Sequence, residues 1–194
     1  MHRVTLIPGD GIGPEVIEAA RRVVDGTGVA VTWEPHEMGQ AALIRAGSPL
    51  PDETLDSIRA NRVALKGPVS TPAQGGLRSV NVSLRQELDL YAAVRPCRRY
   101  PGVPSLYDEV DFVVIRENTE GMYTGIEFEM GTVQTKELIR FIGETTGRWV
   151  RQDSGISIKT ISQGGSARIV RFAFEYARAN GRARVTAVMS TPTA

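Results

Sequence analysis

Ile7 to Val16 reads IPGDGIGPEV, and the fold turns on how that stretch is taken. It joins a short apolar run, Arg3 to Ile7, to a segment in which Pro14 suits a first helical position, so it reads as a strand-to-helix turn in an α/β chain. At such a turn, backbone N–H groups and the positive helix end can hold an anion or a nucleotide. Gly9, Gly11 and Gly13 spell G-x-G-x-G with Pro14 and Glu15 behind, not the G-x-G-x-x-G dinucleotide fingerprint. Alone, such a turn serves as well for a plain tight turn as for a ligand loop.

Working outward, Val16, Ile17, Ala20, Val23 and Val24 place apolar groups on one helical face, which Gly26 and Gly28 end. VAVTWEP reads as a strand, GQAALIRA and PDETLDSIRA as helices, and RVALKGP as a strand ending in a turn. The Pro- and charge-rich RPCRRYPGVPS, Arg95 to Ser105, is the best domain boundary. Beyond it DFVVIREN reads as a buried strand and MYTGIEFEM as a strand with polar alternation, while Val133 to Arg151 suits strand or helix. GISIKTI is a strand, Ser162 a cap, SARIVRFAFEYARAN an amphipathic helix stopped by Gly181, and RVTAV a final strand.

The chain has 194 residues, 41% of them hydrophobic, enough for a real core. A net charge of +1 suggests no nucleic-acid or membrane partner, so the expected partner is a small molecule. No apolar run reaches membrane-spanning length and Met1 runs almost directly into the first strand, which points to a cytoplasmic protein without a leader. The single cysteine, Cys97, fits a reducing compartment and reads as structural. Lys66, Lys136 and Lys159 are the only lysines, so any one arginine is weak evidence of an anion site and placement must decide.

Placement picks out a few. In STPAQGGLRSVNVSLRQELDLYAAVRP, Ser79 and Asn81 open a short helix after a Gly-Gly loop and Arg85 lies one turn on from Asn81. Hydroxyl, amide and guanidinium can then converge at a positive helix end, a receptor of carboxylate size. Arg95 follows the apolar LYAAV and Arg116 ends FVVI, and guanidinium forks suit carboxylates. Taken singly, each is a surface residue or cap partner. Tyr123, seven residues after Arg116, is a candidate general acid if neighbouring cations lower its pKa, or a core-edge phenol if they do not. Glu117, Glu120, Glu127 and Glu129 read as the wet face of a strand, so no metal ligand is assigned.

Together these segments resemble the β-decarboxylating dehydrogenases, the isocitrate and isopropylmalate dehydrogenase family, and within it most closely the NAD-dependent isocitrate dehydrogenases. TLIPGDGIGPEV, LKGPVSTP, SVNVSLRQELDLYAAVRP, YDEVDFVVIRENTEGMYTGIE and ARIVRFAFEYARANGRARVTAV carry the likeness over nearly the whole chain, but over only the first half or so of a family member. The resemblance implies an α/β isocitrate/isopropylmalate dehydrogenase-like fold that is not a Rossmann fold, truncated after the small domain. Residues 1–96 would be the first segment of the large domain, and residues 97–194 the small domain, through which a homodimer forms. It implies oxidative decarboxylation of isocitrate with NAD, NADP not being excluded, and Mg2+ or Mn2+. By motif match Ser79, Asn81, Arg85, Arg95 and Arg116 would hold a tricarboxylate substrate, Tyr123 would protonate the enolate, and Ile12 and Thr71 would lie along the cofactor. Polar Ser79 and Asn81 favour a tricarboxylate over an isopropyl group, against which their hydrogen bonds would be lost.

Where the family continues after VTAV with His-Lys-x-Asn, here stand Met189, Ser190, Thr191 and Pro192. The general-base lysine, the metal aspartates and the adenosine grip are therefore expected to be missing, and a truncated product with little activity of its own is expected. The alternatives are a non-catalytic regulatory or interaction subunit of the same family, or the same chemistry on isopropylmalate, homoisocitrate or tartrate.

Overall fold

The computed structural model describes residues 1–70 and 79–188, with Met122 and Tyr123 described by their backbone alone. The chain divides into two compact units, Met1–Asp89 and Leu90–Ala194.

In the first unit β1 (His2–Ile7), α1 (Gly13–Asp25), β2 (Val31–Pro35), α2 (Gln40–Ala46), α3 (Asp52–Asn61), β3 (Ala64–Lys66) and α4 (Val80–Glu87) follow one another. The strands form a parallel sheet in the order β2-β1-β3. Leu6 pairs with Pro35 and Ile7 with Lys66, so the carboxyl ends of all three strands reach one edge of the sheet. Open α/β sheets bind ligands at that edge. Thr5 and Ile7, two apart on one face of the pleat, are fully buried. Ile7 joins Met38, Leu55, Val80 and Leu84 in the core, flanked by Leu50, Ile58, Val69 and Leu88. The buried Thr5 hydroxyl accepts a hydrogen bond from Asn61 Nδ2 (3.0 Å) and shares another with Ser57 Oγ (2.8 Å), as a polar group in a core must. α1 departs from the sequence reading: Ile17 is buried, whereas Val16 and Val23 of the predicted apolar face lie open.

The second unit holds β4 (Ala92–Arg98), β5 (Asp111–Glu117), β6 (Gly121–Phe128), α5 (Val133–Thr146), β7 (Ile156–Thr160) and α6 (Gln163–Ala179). β4 pairs antiparallel with β5, and β6 with β7. The stretch from Arg95 to Ser105 starts inside β4, where Pro96 pairs with Val113. The ambiguous stretch from Val133 is a helix because Thr132 caps it, its hydroxyl accepting from Thr135 N (3.3 Å). Ser162 caps α6 in the same way, accepting from Gly165 N (2.9 Å).

Two sequence expectations change here. DFVVIREN forms β5 but is not buried: Phe112 and Val114 are 52% and 42% exposed, since β5 pairs in a two-stranded ribbon and no second layer covers that face among the described residues. RVTAV is not a strand, because a strand exists only by pairing and no described strand lies against Arg184 to Val188. Arg182 nevertheless ties this segment back, its Nη2 reaching Asp111 Oδ1 at 2.7 Å.

Candidate functional site

The IPGDGIG loop leaves β1 at the carboxyl edge of the sheet, and contact, not ligand geometry, explains most of its glycines. A Cβ on Gly9, whose φ is +77°, would lie 2.0 Å from Pro68 O; one on Gly13 would lie 2.2 Å from Pro8 O, and one on Gly67 2.1 Å from the same atom. Backbones here approach too closely for any side chain. Asp10 locks the arrangement. Its Oδ1 accepts from Gln40 N at the start of α2 (3.0 Å), its Oδ2 accepts from Ser70 N (2.8 Å), and its own N–H donates to Pro68 O (2.8 Å). Ile12, 68% exposed, stands at the head of α1. Thr71, the other cofactor candidate, lies outside the described residues, but its neighbour Ser70 is bonded to the loop that carries Ile12.

α4 carries the next group. Val80, Leu84 and Leu88, each four apart, turn one face into the core. Asn81 and Arg85, one step around the helix, form a parallel row beside that face. Ser79 occupies the N-cap position without a side-chain capping bond, and its carbonyl accepts from Val82 N and Ser83 N. A residue missed by sequence joins them: Lys66, last of β3. Its Nζ donates to Gly67 O (2.6 Å), and its pKa is pushed down by burial and then by the positive charge of Arg85, against a smaller opposing pull from Asp10. A half-buried lysine beside a second cation favours an anion between the two. The signal that could have found Lys66 is its place at a strand's carboxyl end.

The other opening at this edge is lined by Pro8, Pro35, His36, Glu37, Arg45 and Glu53. Its cation is already spent: Arg45 bridges Glu37 Oε2 (2.6 Å) and Glu53. It is a poor anion receptor for that reason.

In the second unit the register sets Arg116 opposite Ala93 and Arg95 opposite Val114. Facing residues share a side and alternate residues share a side, so Arg95 and Arg116 are diagonal neighbours on one face of the β4–β5 ribbon. Arg95 is exposed and Arg116 half-buried. Arg116 Nη2 donates to Asn118 Oδ1 (2.8 Å), and the buried Asn118 donates from Nδ2 to Leu90 O (3.2 Å). Tyr123 lies in β6 by its backbone; its side chain lies outside the described residues.

Two acids read from sequence as a wet face are structural. Glu117 accepts from Thr119 N, Thr119 Oγ1 (2.6 Å) and Glu120 N (2.8 Å). Burial raises its pKa, but these hydrogen bonds outweigh it and the net shift is downward. Glu120 accepts from Ser162 N (2.8 Å) and from the Ser162 hydroxyl at the head of α6. Among the described residues no group of three or more His, Cys, Asp or Glu could hold a metal ion, and no helix is long and apolar enough to cross a membrane.

The fold and these sites define a mixed α/β protein with basic and amide groups gathered at strand and helix ends. The sequence signature of the isocitrate/isopropylmalate dehydrogenase family matches residues 3–191, and the chain belongs to that family. It is 48% identical over 187 residues to an NADP isocitrate dehydrogenase of Archaeoglobus fulgidus, covering 93% of this chain and 45% of that protein. It is 44% identical to an NAD isocitrate dehydrogenase catalytic subunit, mitochondrial, of Arabidopsis thaliana, covering 95% of this chain and 44% of that one. Among solved structures, isocitrate dehydrogenase from Methylococcus capsulatus superposes with a TM-score of 0.79 at 47% identity, over 94% of this chain and 49% of that one. The fold is the isocitrate/isopropylmalate dehydrogenase-like one, and the chain spans about half the length of the relatives it matches. Their names carry both NADP and NAD, so the likeness to NAD-dependent members does not separate the two cofactors.

Proposed function

We propose that this chain supplies the substrate-receiving part of an isocitrate dehydrogenase, an oxidoreductase that converts isocitrate to 2-oxoglutarate and CO2 with NAD or NADP. The observation that carries this reading is the pairing of Arg95 and Arg116 on one ribbon face. In the first unit burial and then the charge of Arg85 lower the Lys66 pKa, and this crowding of cations is in line with a polyanionic ligand. Bidentate guanidinium forks on the substrate's carboxylates would fix its orientation, and Ser79 and Asn81 would meet the carboxylate that distinguishes isocitrate from an isopropyl substrate. When bound, a nicotinamide would accept a hydride from the substrate that Arg95 and Arg116 orient.

Tyr123 would return a proton to the carbon from which CO2 departs. Ile12 and Thr71 would line the cofactor, the exposed Ile12 side chain offering apolar surface at the sheet's carboxyl edge. The described residues do not fit a metal site of their own, so no step here runs through a metal. Residues 1–96 and 97–194 would be the large-domain segment and the small domain, the latter forming a cytoplasmic homodimer, and turnover would need the remainder of the family's length.

Joining residues 1–188 to the second half of the Archaeoglobus fulgidus enzyme tests this. Isocitrate turnover with NAD or NADP, lost in Arg116→Ala, is expected. A preference for isopropylmalate, homoisocitrate or tartrate would overturn the substrate assignment.

A further inference from the structure

We infer that Arg168, on α6, is a positioning residue that holds the guanidinium of Arg116 in its binding orientation through the turn Glu117–Glu120. This rests on the reading of Arg116 as a substrate-binding residue. The turn joins β5, where Arg116 is the penultimate residue, to β6, which carries Tyr123. Glu117 points to the opposite face of β5 from Arg116, so whatever grips Glu117 acts from behind the substrate face.

Arg168 does the gripping. Thr119 Oγ1 spends its proton on Glu117 Oε1 (2.6 Å) and accepts from Arg168 Nη2 (2.7 Å). The same guanidinium lies 3.9 Å from Glu117 Oε1 and 4.6 Å above the Tyr91 ring. Tyr91 is held edge-on by Phe172, one helical turn beyond Arg168, with centroids 6.0 Å apart. Cation, ring and carboxylate thus fix one another. A second tether runs in parallel: Glu120 accepts from Ser162 N, and Gly165 leaves room for that carboxylate, which a Cβ would meet at 2.8 Å.

Asn118 sits inside the twice-tethered turn, 6% exposed, and its Oδ1 accepts from Arg116 Nη2 at one end of the guanidinium fork. Fixing the turn's backbone therefore fixes the direction of that fork. Releasing Arg168 would leave Arg116 in place on β5 and free its head group.

Amide and guanidinium hydrogen exchange by 15N NMR on the full chain tests this with Arg168→Met, which keeps the aliphatic bulk, and Arg168→Lys, which keeps the charge. In Arg168→Met, exchange at the Thr119 and Glu120 amides and at the Arg116 Nη2 protons, which Asn118 Oδ1 accepts, is expected to rise about tenfold, the scale of one lost hydrogen bond to a charged group. Arg168→Lys should recover part of this, and the Gly165 amide, held by Ser162, should not move. Unchanged exchange at Arg116 overturns the inference, as does equal loosening along all of α6, which would make Arg168 a helix anchor only. If Arg168→Met does not fold, Thr119→Val removes the acceptor alone and must loosen Arg116 in the same way, or the inference fails. Isocitrate titration of the joined enzyme separates the two readings: no binding there counts against the substrate role of Arg116, while the exchange data still decide the positioning role of Arg168.

Discussion

Asp10 joins three chain segments through one carboxylate, accepting from Gln40 N and Ser70 N while its amide donates to Pro68 O. Asp10→Ala leaves two backbone donors without their acceptor, so a loss of about 2 kcal/mol is expected in urea unfolding. Asp10→Asn should cost less, its one remaining carbonyl oxygen serving one donor. Lys66 makes the opposite case. Because burial and Arg85 lower its pKa, the folded state disfavours the charged lysine; that penalty is present below the folded pKa and is relieved as pH rises toward the unfolded value. Lys66→Met should therefore raise Tm at neutral pH while weakening tricarboxylate binding roughly tenfold, measured by calorimetry on the joined enzyme. Neither role is legible from the sequence. Asp10 looks like any residue of a glycine turn, and Lys66 like the end of a strand, because their partners lie tens of residues away.

At the scale of elements, caps and close approaches decide what periodicity leaves open. Val133 to Arg151 has apolar residues compatible with two periods, and the Thr132 hydroxyl at the helix start selects one. Within α5, Gly143 is required by packing: a Cβ there would lie 2.4 Å from the Trp149 ring. Gly143→Ala is expected to push the ring outward, shift Trp149 emission to the red, and cost about 1 kcal/mol. Ser162→Ala should likewise destabilise α6 by about 1 kcal/mol, with circular dichroism melts as the measure. The α/β alternation of the first ninety residues was readable because each strand and helix announces itself by local pattern. RVTAV has a strand's pattern and no strand's structure, since pairing is not a local property.

For the molecule as a whole, Trp33 lies in the first unit and Trp149 in the second, so each unit has its own fluorescent reporter. Glu34 in the first is held below its usual pKa by Asn61 and then Arg3, and Asp111 in the second by Arg182. Lowered carboxylate pKa values contribute stability that is present above the unfolded values and lost as pH falls through the folded ones. Both emissions should report weakening below about pH 4. Glu34→Gln should flatten the acid limb for Trp33 and leave that for Trp149 unchanged.

Ile12, Val16 and Val23 expose an apolar row along the start and outer side of α1, so concentration-dependent association in light scattering is expected, reduced by Val23→Glu. The sequence by itself determined the α/β class, the order of nearly every element, the family and the residues to watch, because period, caps and motifs are written locally. Only the tertiary structure decided that Arg95 and Arg116 share a face, that Lys66 crowds Arg85, and that Glu117 and Glu120 tie a turn to α6. Those facts depend on strand register and on contacts between residues far apart in the chain, which no local pattern encodes.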